Sequence, residues 1–276
     1  MITLYSGTPG SGKSYHAAER CYTLLRNRKI NVIVNFDINL DVLSLTTIGW
    51  LKYRITQATK GKVKFKKYNK KRLKGHYEYR PNYELTIDYL MQFAQEHHKA
   101  HGEGQTIVMI DEAGTIFNCR DFAAKDRREW LDFFAMHRHY GFDFILIQQS
   151  DRQLDRQIRY CVEYEKAHRK VRNFKTLGWI MAMLAGGQLF LVRTSWYASK
   201  SNLSNNSEML RYRRRVAAIY DTFARFDDAA PAAQAPSGSR GPARSRAAAP
   251  PLQCVPDVDV LAAPDDVQSI KGEGTA

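Results

Sequence analysis

Eight residues near the start of the chain have the types and spacing to hold a triphosphate. They read Gly7-Thr8-Pro9-Gly10-Ser11-Gly12-Lys13-Ser14, the phosphate-loop pattern G-x-x-x-x-G-K-S. Its glycines let the backbone wrap tightly and turn N–H groups inward, which makes a nest for an anion. A helix predicted over residues 15–28 presents its amino end to the same anion and adds partial positive charge. In such a loop Lys13 reaches the outer phosphates and the Ser14 hydroxyl ligates Mg²⁺. Gly7, Thr8, Pro9, Gly10, Ser11, Gly12 and Tyr15 complete the nucleotide-binding set. The second half of a Mg–phosphate site is expected at residues 106–112, T-I-V-M-I-D-E, an apolar run ending in two carboxylates. Asp111 is placed to position Mg²⁺ and Glu112 to orient an attacking water. A further apolar run, residues 142–149, ends in Gln148 and Gln149, candidates for sensing the terminal phosphate or holding the water. Arg138, Arg152 and Arg156 are candidates for reaching a neighbouring subunit's nucleotide.

These groups need a scaffold that brings distant strand ends together. Strands are predicted at 2–5, 31–36, 106–111, 142–147 and 160–167. Helical spacing or basic short helices fall at 15–28, 85–98, 124–139 and 151–159, whereas 41–57 has apolar residues without a clean period. The alternation predicts an α/β class, a P-loop NTPase with a largely parallel sheet flanked by helices. Residues 7–14 and Asp111 are expected at adjacent strand ends, on the carboxyl edge where such sheets bind ligands. Residues 176–192 carry no charge. They fall short of the roughly 20 apolar residues of a membrane span and are broken by Gly186-Gly187, so a β-hairpin is predicted there.

Charge points to a polyanion or an anionic surface among the partners. The 276-residue chain has 42 Lys and Arg against 28 acids, a net charge of +14. Nine of those bases fall in residues 60–74, which hold no acid; Val63 and Phe65 alternate with lysines and four tyrosines follow. Lys62, Lys64, Lys66, Lys67, Lys70, Lys71, Arg72 and Lys74 are the candidate contacts to single-stranded DNA or anionic lipid, in a basic insertion over about 58–84. The four cysteines show no C-x-x-C spacing and suggest a reducing compartment and no metal centre. His97, His98 and His101 read as a polar helix end, since adjacent helical positions point apart. Residues 229–276 hold seven of the nine prolines and no aromatic residue, so a disordered tail is predicted after an ATPase domain at 1–228.

The combination G-T-P-G-S-G-K-S, T-I-V-M-I-D-E-A, H-R-H-Y-G-F-D-F-I-L-I-Q-Q-S at 137–150 and I-Y-D-T-F at 219–223 resembles the zonular occludens toxin family over roughly residues 1–224. That family includes the filamentous-phage gene I assembly protein. The resemblance implies an ATP- and Mg²⁺-dependent motor, a homo-oligomer working with phage assembly and export components on the cytoplasmic face of the host inner membrane. Family members usually continue into a transmembrane helix, whereas no span of about 20 apolar residues follows here. Other readings of the same motifs are a DNA-packaging ATPase, a nucleotide-binding scaffold with little turnover, or a small-molecule kinase.

Overall fold

The computed structural model describes residues 1–59, 72–118, 124–171, 188–198 and 206–220. Its strands are β1 (Ile2–Ser6), β2 (Asn31–Val34), β3 (Tyr77–Tyr79), β4 (Thr106–Ile110), β5 (Phe142–Ile147), β6 (Tyr164–Lys170), β7 (Leu189–Trp196) and β8 (Asn206–Arg211). Its helices are α1 (Lys13–Asn27), α2 (Leu40–Ser44), α3 (Thr47–Ala58), α4 (Ile87–His97), α5 (Ala124–Met136), α6 (Arg156–Tyr160) and α7 (Arg214–Ala217). The strands form one sheet in the order β3-β2-β4-β5-β1-β6-β7-β8. Pairing is parallel from β3 across to β6 and antiparallel for β6 with β7 and β7 with β8.

The central strands are buried on both faces, so each feeds two cores at a period of two. Leu4, Val108, Ile110, Phe144 and Leu146 face one layer, where Phe93 of α4, Trp130 and Phe134 of α5 and Ile158 of α6 pack with them. Tyr5, Ile107, Met109, Ile145 and Ile147 face the other, against Ala17, Cys21, Leu24 and Leu25 of α1. The helix starts follow from side-chain caps: Asn39, Thr46, Thr86 and Asp155 accept backbone N–H groups at α2, α3, α4 and α6.

Several expectations are corrected. The strand predicted at 160–167 begins at Tyr164, because Asp155 caps a helical turn that takes in Tyr160. The ambiguous stretch 41–57 is helical, divided where Leu45 leaves the helix and Thr46 caps the next. The phosphate loop and Asp111 are not on neighbouring strands, since β5 lies between β1 and β4. Most of the hairpin predicted over 176–192 lies outside the described residues. Its second arm has both edges taken, Phe190 lying opposite Lys170 of β6 and Leu210 of β8. Among the described residues, no helix is long and apolar enough to cross a membrane. The predicted tail, residues 229–276, lies outside the described residues.

Candidate nucleotide site

The chain leaves β1 at Ser6 and turns through residues 7–12 into α1. Gly7, Gly10 and Gly12 have φ of 141°, 72° and 100°, a range that side chains disfavour. Space also demands glycine at two of them. A Cβ on Gly7 would lie 2.5 Å from the His168 carbonyl oxygen, and one on Gly12 2.7 Å from the Phe190 ring. Lys13 is buried and folds back over the loop, donating from Nζ to Gly7 O at 2.7 Å and Thr8 O at 3.2 Å. Burial lowers its pKa, and the charges of Asp111 and Glu112 oppose that shift.

Asp111 follows β4 and is 6% exposed. Its Oδ2 accepts from Ser14 Oγ at 2.9 Å, with Tyr220 Oη at 3.4 Å, and its Oδ1 accepts from Glu112 N at 3.0 Å. Burial raises the Asp111 pKa, while the bonds from Ser14 and Glu112 N and the Lys13 charge pull it down. Asn35, just past β2, clamps the Asp111 backbone from both sides. Its Oδ1 accepts Asp111 N at 2.7 Å and its Nδ2 donates to Asp111 O at 2.8 Å.

The pocket suits an anion and a hard cation. Ser11 Oγ is buried in the loop without a hydrogen-bond partner among the described residues, and a Cβ on Gly10 would meet nothing within 4 Å. The paired donors of Ser14 and Asp111 are a hydroxyl and a carboxylate, the oxygen set that Mg²⁺ takes.

Glu112 sits next in the chain, exposed and left-handed at φ 51° and ψ 50°. Thr115 holds that turn, its N–H and hydroxyl both donating to Glu112 O at 2.8 Å. Gln148 is half-buried at the end of β5. Its Oε1 accepts Gly114 N at 3.0 Å and its Nε2 donates to Gln153 Oε1, which ties β5 to the turn after Glu112. Gln149 is exposed, and its carbonyl accepts Gly7 N at 3.3 Å.

The candidate arginines are scattered. Arg138 pairs with Glu163, beside the amino group of Met1, at the edge of the sheet opposite the phosphate loop. Arg152 is exposed in the turn after β5. Arg156 Nε donates to Tyr160 Oη at 3.1 Å. Lys62, Lys64, Lys66, Lys67, Lys70 and Lys71 lie outside the described residues. Arg72 donates to Ser44 O and Lys74 to Asn27 O, so both lean on the body of the protein.

Sequence reading missed Asn35, Tyr220 and a buried pair beneath the loop, His16 Nδ1 at 2.8 Å from His168 Nε2. Asn35 was legible as a polar residue closing the run V-I-V-N, and Tyr220 lay in the motif at 219–223. Nothing local marks the histidines, which are 152 residues apart. Burial lowers both their pKa values. A cavity of about 990 Å³ lies elsewhere, between α4 and α5, and no residue of the phosphate loop lines it.

The family described as Zonular occludens toxin (Zot) matches residues 1–179. The Gene 1 protein of Enterobacteria phage I2-2 is 28% identical over 129 residues, covering 44% of this chain and 33% of that protein. The Gene 1 protein of Escherichia phage If1 is 27% identical over 156 residues, covering 52% and 43%. The match thus spans under half the length of these relatives. Among solved structures, one ATPase domain is 10% identical, with a TM-score of 0.53 over 80% of this chain and 84% of that one. The N-terminal domain of zonular occludens toxin from Neisseria meningitidis is 17% identical, with a TM-score of 0.45 over 80% and 98%. The fold is that of a P-loop NTPase, and the chain belongs to the zonular occludens toxin family.

Proposed function

We propose that this chain is an Mg²⁺-dependent ATPase that drives a step of phage assembly and export. The observation that carries the reading is the contact of Ser14 with Asp111, 2.9 Å apart, beside a phosphate loop whose lysine is already folded inward. Ser14 Oγ and the Asp111 carboxylate would hold Mg²⁺, which when bound neutralises charge on phosphate oxygens. The loop amides and Lys13 bind the phosphates. Glu112, exposed at the strand end, accepts a hydrogen bond from water and orients it toward the terminal phosphate. The relatives named Gene 1 protein are phage proteins, and the inner-membrane export setting follows the family resemblance.

Phosphate release from ATP with no acceptor present tests this. Release that vanishes in Lys13→Ala supports the ATPase. ADP formed only when a hydroxyl acceptor is supplied, with the phosphate carried on that acceptor and none freed, means a kinase, and binding without ADP formation means a scaffold. Sedimentation with and without ATP tests the homo-oligomer that an arginine acting in trans requires.

A second reading concerns the basic stretch. Helix α3, which precedes it, exposes Ile48, Leu51 and Ile55 at 70%, 59% and 43%. These residues share one side of the helix, at spacings of three and four. An aliphatic stripe followed at once by a lysine run suits an anionic membrane surface, which takes up both the apolar side chains and the charge.

A further inference from the structure

We propose that the base of the bound nucleotide lies on an aromatic ledge made by Tyr15 and Tyr212 and backed by Phe190. The inference rests on the triphosphate reading of residues 7–14 and adds to it the part of the ligand beyond the phosphates.

Strand order sets the direction of the ligand. Asp111 and Glu112 end β4, on one side of β1; β6, β7 and β8 lie on the other. A terminal phosphate facing Asp111 and Glu112 sends the sugar and base away from β4, toward β6, β7 and β8. Two successive antiparallel pairings make β8 run the same way as β1. Tyr212, which follows the last residue of β8, therefore stands at the same carboxyl edge as the phosphate loop. Strand β7 runs the opposite way, so Phe190 near its start also stands there.

The side chains close the gap. Phe190 packs against Gly12 so tightly that a Cβ there would meet its ring at 2.7 Å. The Tyr15 ring, next in sequence after Ser14, lies 5.7 Å from Phe190 and stacks on Tyr212 at 5.3 Å and 29°. Its hydroxyl donates to Arg211 O at 3.1 Å and accepts Arg213 N at 2.7 Å, which fixes the ring against the exit of β8. Tyr212 itself is half-buried and is held by its N–H on Gln188 O at 3.0 Å.

Recognition by such a ledge is by stacking, which tolerates any base but favours the larger purine faces. The Tyr15 hydroxyl is committed to backbone and does not read base edges. Purine nucleoside triphosphates are the expected class, with ATP and GTP close in affinity and CTP and UTP weaker.

Calorimetry on the full chain with Mg²⁺, using ATP, CTP and inorganic tripolyphosphate as probes, tests the ledge. Tyr212→Ala should weaken ATP about tenfold or more, as loss of one base stack does, and leave tripolyphosphate unchanged. Tyr212→Phe should bind ATP as the wild type does. Wild-type ATP affinity in Tyr212→Ala, or an equal loss for ATP and tripolyphosphate, would overturn the ledge while leaving the phosphate site standing. A wild-type chain that binds neither ATP nor tripolyphosphate would overturn both readings.

Discussion

Ser14 and Asp111 are 97 positions apart in the chain and belong to different elements, yet the hydroxyl of one donates to the carboxylate of the other at 2.9 Å. Strand β5 separates their parent strands, so the contact is made above the carboxyl edge of the sheet and not within a strand pair. Asp111→Asn keeps the shape and removes the charge. It should abolish the gain in ATP affinity on adding Mg²⁺ and cut phosphate release by two or more decades, as loss of several kcal/mol of charge stabilisation implies. Titrating Mg²⁺ against ATP binding in wild type and variant checks it. An undiminished Mg²⁺ effect would remove Asp111 from the site.

Glu112 combines an exposed carboxylate with a left-handed backbone that costs a non-glycine residue about 1 kcal/mol. Glu112→Gln should retain ATP affinity and lose most turnover. Glu112→Gly should lose turnover too, while its melting temperature stays level or rises, because glycine adopts φ 51° without strain. Single-turnover phosphate release and thermal unfolding on the same preparations separate the chemical role from the structural one. A Glu112→Gln variant with wild-type turnover would assign the water to another residue.

The three loop glycines should rank by what a methyl group meets. Gly7→Ala drives a Cβ to 2.5 Å from a backbone carbonyl that β6 holds in place. Gly12→Ala meets the Phe190 ring at 2.7 Å, and a side chain can shift. Gly10→Ala meets nothing within 4 Å and carries only backbone strain, of order 1 kcal/mol. ATP affinity and melting temperature should both fall most for Gly7→Ala, less for Gly12→Ala and least for Gly10→Ala. Equal losses would mean that conformation, and not contact, selects glycine here.

The parts of this site that were legible in sequence are those where chemistry is local. The loop needs glycines, a lysine and a serine within eight residues, and β4 needs only an apolar run that stops at Asp111. What escaped is set by topology. Nothing near Met109 says that β5 lies beside it, and Tyr220 reaches Asp111 across 109 positions. Helix α3 hid for a different reason. Ile48, Leu51 and Ile55 face solvent, while Trp50 and Tyr53 pack against the core, so both sides carry apolar residues and no period stands out. The start of β6 differs for a smaller reason: the helical turn that Asp155 caps, its Oδ1 accepting Gln157 N at 2.9 Å, runs one residue past the helix predicted at 151–159 and takes in Tyr160.

His16 and His168 should make stability fall in mild acid. The Ser6 carbonyl lies 3.2 Å from His168 Nδ1, so this nitrogen carries the hydrogen and His168 Nε2 accepts from His16 Nδ1. Protonating His168 Nε2 sets two hydrogens against each other between buried rings. Both folded-state pKa values lie below the ordinary histidine value, so the unfolded chain binds more protons. The pair's stabilisation is therefore complete above about pH 6.5 and is lost as pH falls below it, by roughly 2 kcal/mol per histidine at pH 5. Unfolding curves between pH 8 and pH 5 should show that slope, and His168→Asn should flatten it. The same slope in wild type and variant would show that other groups carry the acid sensitivity.

The α3 stripe and the lysines that follow it should act together on a membrane surface. Each Lys near an anionic bilayer adds about 1 kcal/mol, and buried aliphatic area adds the part that salt cannot screen. Replacing Lys64, Lys66, Lys67, Lys70 and Lys71 by Gln should therefore weaken binding to phosphatidylserine vesicles and flatten its salt dependence. Replacing Ile48 and Leu51 by Ser should weaken vesicle binding at every salt concentration, with the salt slope kept. Single-stranded DNA distinguishes the alternative partner, because its binding should follow the lysines alone, at about −0.7 in log–log slope for each phosphate neutralised. Cosedimentation with vesicles and a DNA titration over the same salt range give both readouts. If Ile48→Ser with Leu51→Ser leaves vesicle binding intact while the lysine variant loses DNA, the stretch serves nucleic acid, and the aliphatic stripe of α3 has no part in it.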